Sequence, residues 1–581
     1  MAELSPSVRS ASGSAPPALE AMLNRPAVAV PLEWLLYGVA IVVAAGLRLG
    51  LAASDPLSLG ESATALAALD LTLGRPAGSS APLADLLTAL VFFLATPSDL
   101  AARFPSVVAG TATVALMPAF RPFLGRLAAL LAAFLLAVSP FSLAISRRGE
   151  PDALALLAAV VALLGLLRFE RDGQAGWAAT AILAFAMLLT SGPRAVTLLL
   201  AAAVALVIAR LLGTSTPLTA LLTRWRTERG QTPSLGGAVL AALLLFLLVS
   251  TRFFLDPSGL ALPAVNGWVR EFTTGGSALL PLLALVSYDP LTLGAGTAGI
   301  LWLLSGRARE PRSRQALAFL ALWSGVALAV AVLGGQRLVG PLAAIAFPLA
   351  LLAATALADV LCALRRDDLA RGAALLGAIP LLVYAYIQSA VLTRSDGGTP
   401  LQWLAVFLSL ALAGGYSVLV VASLGRNALP VTALAGAALL LMGSIHASFA
   451  LNARPSAGEW VLPDVPGPAA QIFPEQIAEL RAARGGIIAY GVAPELRVPF
   501  AWLLRDQPGM RMRADLAGGL DAAIVPVGTS LPETAASGIR SVYALGSYGP
   551  PEGARSFWRW YVWRTAGETG FRREALLVIL R

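Results

Sequence analysis

Three short stretches of this sequence set carboxylates and guanidinium groups side by side between apolar runs. The first is Gly60-Glu61-Ser62-Ala63, within a long interval (residues 54–102) that also holds Asp55, Asp70, Asp85 and Asp99. The second is Ser146-Arg147-Arg148-Gly149-Glu150-Pro151-Asp152, and the third is Thr190-Ser191-Gly192-Pro193-Arg194. A carboxylate can act as a general base toward an acceptor hydroxyl. An arginine can hold a phosphate, including one linked to a lipid, through two parallel N–H bonds. On this reading Glu61 is the leading base candidate, with Asp55, Glu150 and Asp152 as supporting carboxylates. Arg148, Arg194, Arg252 and Arg337 are the candidate phosphate ligands. The competing reading is plain: charges near helix ends are solvated, or stabilise helix N-termini through the helix dipole. Three successive intervals on one side, each with such groups, weigh toward a shared site.

The elements that must position these groups are membrane helices. Of the 581 residues 57% are hydrophobic and only 13% charged, against about 25% charged in an average soluble domain. The mean hydropathy is +0.76. Thirteen apolar stretches are long enough to cross a bilayer: 32–53, 103–121, 126–145, 151–168, 175–191, 195–213, 235–254, 278–304, 315–333, 338–361, 372–392, 401–423 and 429–451. A shorter one, 82–96, opens with Pro82, carries Asp85 and reads as a helix lying at the interface. Asp289, followed by Pro290 inside the eighth stretch, must face protein or water, and the proline opens the helix there; Asp289 joins the candidate binding residues.

Arginine sets the orientation. With the N-terminus in the cytoplasm, inside segments hold 18 arginines and the outside loops before the final domain hold 9, the excess expected of cytoplasmic loops. Residues 54–102 are then the long first outer loop, residues 1–30 a flexible cytoplasmic tail, 31–453 the transmembrane domain, and 454–581 a small α/β domain outside the membrane. Strand-like runs in that last part are Gly486 to Tyr490, Ala522 to Val525 and Ala575 to Leu580, with a helix over Pro494 to Leu504.

Composition also excludes chemistries. All 42 basic residues are arginine, so no lysine is present to form a Schiff base or serve a Walker-type phosphate loop. The single Cys362 and single His446 exclude an intrachain disulfide framework, thiolate clusters and histidine-rich metal sites. The net charge of +9 follows membrane sidedness and calls for no nucleic-acid partner.

Taken together, the motifs resemble those of the GT-C superfamily of integral-membrane glycosyltransferases, which includes protein O-mannosyltransferases and bacterial lipid A aminoarabinose transferases. The resemblance is best over residues 32–200. It rests on Leu57-Ser58-Leu59-Gly60-Glu61-Ser62-Ala63, Ala81-Pro82-Leu83-Ala84-Asp85, Asp99 to Ser106, Ser139-Pro140-Phe141 leading into Ser146-Arg147 and Pro151-Asp152, Thr190-Ser191-Gly192-Pro193, and Tyr288-Asp289-Pro290. It implies a GT-C-like helical membrane protein with about 13 transmembrane helices. It also implies a polyprenyl-phosphate sugar donor, a glycan, lipid or protein acceptor, a first-loop aspartate that activates or positions the acceptor, often near a divalent cation, and transfer with inversion at the outer membrane face. The sequence departs from the family pattern at Gly60, where relatives carry the aspartate of an Asp-Glu pair. Glu150 replaces a basic residue, and Ser191 replaces a lysine for which Arg194 supplies the charge. The alternative is a catalytically inactive relative that binds lipid or assists assembly in envelope glycan synthesis.

Overall fold

The protein is described by a computed structural model that covers residues 31–50, 56–211, 223, 233–261, 263–305, 311–364, 372–394, 399–425, 428–453, 459–462, 465–466, 472–512, 520–529, 539–547, 551, 553–564 and 571–579. Asp55 and the tail expected at 1–30 lie outside these residues. Over its described residues, each of the thirteen apolar stretches is largely helical. Among the described residues eight helices are long and apolar enough to cross a membrane, and a ninth arises if Arg126–Val138 and Pro140–Arg147, bent by 57°, form one span. The helices over Ala175–Leu189, Arg194–Ile208, Leu235–Ser250 and Pro290–Leu304 are apolar but shorter. The chain is a multi-pass membrane protein. The stretch read as interfacial forms the 13-residue helix Pro82–Leu94.

Two breaks in the bundle have chemical causes. Pro140 cannot donate into the helix ahead of it, so Arg126–Val138 ends and a new helix leaves at 57°. The carbonyls freed at that break, of Leu136 and Ala137, accept hydrogen bonds from the buried Arg48 guanidinium, which also donates to Ser142 Oγ. Gly110 lets the first half of the bundle close on this corner: a Cβ there would stand 1.8 Å from Ser146 Oγ. The second break is at Asp289, which ends Leu280–Tyr288 and caps Pro290–Leu304 by accepting from the backbone N–H of Thr292.

The core is an alanine- and leucine-rich seam centred on Val339–Ala363, buried along most of its length. Small residues there let backbones approach, the usual way helices pack in a bilayer.

After the last helix of the bundle, Ala428–Ala453, the chain forms a six-stranded mixed sheet: β1 (Val465–Pro466), β2 (Tyr490–Val492), β3 (Met510–Met512), β4 (Ala522–Pro526), β5 (Ile539–Ser547) and β6 (Phe571–Ile579), in the order β1-β5-β6-β4-β2-β3. The β2 pairs with β3 and β4 are parallel, and the rest antiparallel. Sequence alternation pointed to β4, β6 and the end of β2. It missed β1, β3 and β5, of which β1 and β3 have only two or three residues, too few for a period to register. Trp502 fastens this domain to the loop at residues 56–102. Its ring lies 5.7 Å from Phe92, its indole N–H donates to Asp99 at 2.8 Å, and the Arg505 guanidinium sits over the ring.

Candidate functional site

The first loop supplies the helix Leu59–Thr72, which begins with a capping box. The backbone N–H of Glu61 donates to Ser58 Oγ, and Glu61 Oε2 accepts from the backbone N–H of Ser58 at 2.7 Å. The carboxylate does much more than cap. It accepts from Arg103 Nε at 2.7 Å, from Arg103 Nη2 at 3.1 Å and from the backbone N–H of Gly149 at 2.9 Å. Burial opposes its charge, yet the Arg103 guanidinium, with Arg148 and the Ser58 N–H adding to it, holds the carboxyl down at about 2. So Glu61, the leading base expected from sequence, has its lone pairs committed. It is a strut that ties three segments together, and a carboxyl so acidic is a poor proton acceptor.

The second loop provides the carboxylate that faces open space. Gly149 packs against the Ala102 carbonyl, where a Cβ would stand 3.0 Å away, and this close approach turns Glu150 toward the first loop. Glu150 Oε1 accepts from Ser58 Oγ at 3.3 Å and lies 3.6 Å from Arg148 Nη1. It also lies 3.1 Å from where a Cβ on Gly60 would be. Burial raises the Glu150 carboxyl to about 7; Asp152 and Glu61 add to that, while Arg148 and the Ser58 hydroxyl oppose it. Desolvation, reinforced by charge–charge repulsion, thus brings one carboxyl into the range suited to a general base near neutral pH.

Asp152 begins the next helix, Asp152–Asp172. Its Oδ1 lies 3.5 Å from Arg194 Nε, and Arg194 Nη2 donates to Glu271 at 2.9 Å. Gly340 is required here, since a Cβ would fall 1.8 Å from Asp152 Oδ2. Glu271 comes from the helix Pro263–Thr273, in the loop that follows Pro233–Ser250. That helix is docked by the Trp268 indole, which donates to Thr197 Oγ1 at 2.9 Å and stacks on Phe272. The loop therefore folds over the site, held by the Trp268 contacts.

Between these elements lies a cavity of about 700 Å³ lined by Gly60, Glu150, Asp152, Ser79, Arg270 and Glu271, among others. Arg270 is exposed on it, and its side chain makes no hydrogen bond or ion pair to the described residues. The sequence offered no reason to choose it over neighbouring charges, because only the docking of Trp268 turns its helix to the cavity.

The remaining expected site residues divide. Arg148 and Arg194 are at the site, each against a carboxylate. Arg252 is near but saturated: it pairs with Asp85 at 2.8 Å and Asp256 at 3.0 Å and donates to the Ser79 carbonyl. Arg252, Phe253 and Phe254 all have positive φ, at 48°, 57° and 67°. Such a run of left-handed residues is strained, and the buried Arg252 pairs hold it in place. Arg252 is thus a structural anchor, contrary to the expectation of a phosphate ligand. Arg337 precedes Val339–Ala363 and is not on the cavity wall. Asp289 is also removed from it, enclosed by the hydroxyls of Ser139 and Ser444, each donating at 3.1 Å; its role is to cap the broken helix.

Among the described residues, which leave out Asp55, the arrangement does not fit a divalent cation. Among the described residues no group of three or more His, Cys, Asp or Glu side chains converges as ligands. Glu61, Glu150, Asp152 and Glu271 each face a guanidinium instead.

Residues 79–224 match the profile of the dolichyl-phosphate-mannose-protein mannosyltransferase family. No curated protein sequence matches the chain significantly. Among solved structures, ArnT from Cupriavidus metallidurans bound to undecaprenyl phosphate superposes with a TM-score of 0.56 at 18% identity, over 94% of this chain and 98% of that one. Its apo state gives 0.55 at 18% identity, over 94% and 97%. Over nearly its whole length, therefore, the chain has the fold of these ArnT structures, the GT-C-like helical membrane fold that the loop motifs led one to expect.

Proposed function

We propose that the protein is a glycosyltransferase that moves a sugar from a polyprenyl-phosphate donor to an acceptor hydroxyl at the outer face of the cell membrane. The carrying observation is the Glu150 carboxylate, placed on a 700 Å³ cavity and held near neutral pKa. Supporting it are the match to the mannosyltransferase family over residues 79–224 and the likeness to an ArnT structure bound to undecaprenyl phosphate. Arginine asymmetry supports a cytoplasmic N-terminus and puts the cavity and the sheet domain outside.

In this reading Glu150 takes the proton of the acceptor hydroxyl as its oxygen attacks the anomeric carbon. The bond from that carbon to the phosphate oxygen breaks, its electron pair leaves with the lipid phosphate, and the configuration inverts. The departing phosphate gains a negative charge, which Arg270 at the cavity is placed to meet, with Arg148 and Arg194 adding positive potential behind their carboxylates. Asp152 orients Arg194 and, through it, Glu271 of the covering loop. No step passes through a metal ion.

Gly60 favours the second reading, a lipid-binding subunit without transfer activity, because the family's first-loop aspartate is missing there. Purified protein incubated with polyprenyl-phosphate sugars and envelope extract separates the two. Transfer by the wild type that is lost in Glu150→Gln supports the enzyme. Lipid binding without transfer by any variant supports the subunit.

A further inference from the structure

A second cavity, of about 450 Å³, opens at the other end of the bundle. Its walls come from the Arg121–Leu124 turn, the start of Arg126–Val138, and the ends of Pro290–Leu304 and Val339–Ala363. Gly340, against Asp152 of the outer site, and Asp359, on this cavity, share one helix. At 1.5 Å per residue they stand about 29 Å apart, the thickness of a bilayer's hydrocarbon core. The cavity thus lies at the opposite membrane interface, and its ligand is argued independently of the proposed transfer activity.

Among the described residues one cation and one anion on it are unpaired. Arg121 is committed, holding Glu33 through two nitrogens at 3.0 and 3.1 Å and covering Trp34. Arg126 and Asp359 line the same cavity and make no hydrogen bond or ion pair with each other or with other described residues. The rest of the lining, including Leu317 and Trp302, is largely apolar. One cation and one anion left open beside an apolar wall at membrane depth are complementary to a ligand with one anion, one cation and an acyl chain. An Asp carboxylate accepts hydrogen bonds, so the ligand's cation should be a donor. We infer that this cavity is a binding site for a phospholipid with a phosphoethanolamine headgroup, its phosphate on Arg126 and its ammonium on Asp359.

The protein carries its own reporter. Cys362 is the single cysteine, is exposed, and lines the cavity one helical turn beyond Asp359. The full-length protein is reconstituted in nanodiscs of phosphatidylcholine alone, or with phosphatidylethanolamine or phosphatidylglycerol added. Labelling of Cys362 by a water-soluble thiosulfonate is timed in each, for the wild type, Arg126→Gln and Asp359→Asn. Phosphatidylethanolamine should slow labelling of the wild type about fivefold, the worth of one partly exposed charge-assisted contact. Phosphatidylglycerol should not. Each substitution should remove the protection. Equal protection by phosphatidylglycerol, no protection by phosphatidylethanolamine, or protection that survives both substitutions overturns the inference. The wild-type comparison among lipids decides the matter even if a variant folds poorly.

Discussion

The Glu150 carboxylate occupies the space in front of Gly60: its Oε1 lies 3.1 Å from where a Cβ at position 60 would stand. A charge that position 60 cannot carry is supplied there from a loop about ninety residues away in sequence. Adding a carboxylate at position 60 should set two like charges together. Gly60→Asp is expected to lower kcat/KM at neutral pH by about tenfold or more, through repulsion that keeps one of the pair protonated. Gly60→Asp combined with Glu150→Gln should recover part of the activity that Glu150→Gln alone loses. A double variant no better than Glu150→Gln alone would show that the space, rather than the charge, is what matters.

Glu150→Gln keeps the shape of the side chain and removes the base. Its kcat is expected to fall by about 10² to 10⁴ with little change in KM for the donor. Because burial raises the carboxyl to about 7, activity of the wild type should rise with pH through that value and fall about tenfold per unit below it. The Gln variant should lose this dependence. A pH–rate profile of kcat/KM for both proteins checks it.

Glu61→Gln should act on stability instead. It leaves Arg103 buried without its carboxylate, a change that costs about 3–5 kcal/mol. The sign of the pH effect is fixed by the lowered pKa: Glu61 contributes stability that is complete above its ordinary value of 4.5 and is lost as pH falls toward about 2. Thermal unfolding in detergent should give a lower Tm for the variant at pH 7 and a smaller further decline in acid than in the wild type.

Gly340→Ala should disturb the site without touching its charges. The new methyl would overlap Asp152 Oδ2, forcing that carboxylate and its Arg194 partner to shift. The expected penalty is about 1–3 kcal/mol of stability, together with a drop in kcat/KM. A Gly340→Ala enzyme with unchanged Tm and kinetics would mean that Asp152 is free to move.

Arg270 stands on the cavity with no partner among the described residues. Arg270→Gln is expected to raise the donor KM about tenfold, as loss of a charge-assisted bond to phosphate implies, while Tm stays within error. A KM unaffected by this change would move the phosphate to Arg148 and Arg194.

Much of the scaffold was legible in the sequence because its causes are local. Apolar runs of bilayer length specify the helices. Ser58 and Glu61 three residues apart mark a helix start, Asp289-Pro290 marks a break, and short polar loops mark where chemistry can occur. Which carboxylate is the base was not legible. Glu61 and Glu150 are the same residue type at similar helix entrances, and their proton affinities diverge chiefly because Arg103, 42 residues from Glu61, pairs with Glu61 and not with Glu150. The same holds for the arginines: Arg252 is spent on Asp85, 167 residues distant, whereas Arg270 is left open. Electrostatic character depends on burial and on partners within a few ångströms, and those are brought together by helix packing, which no interval of the sequence records.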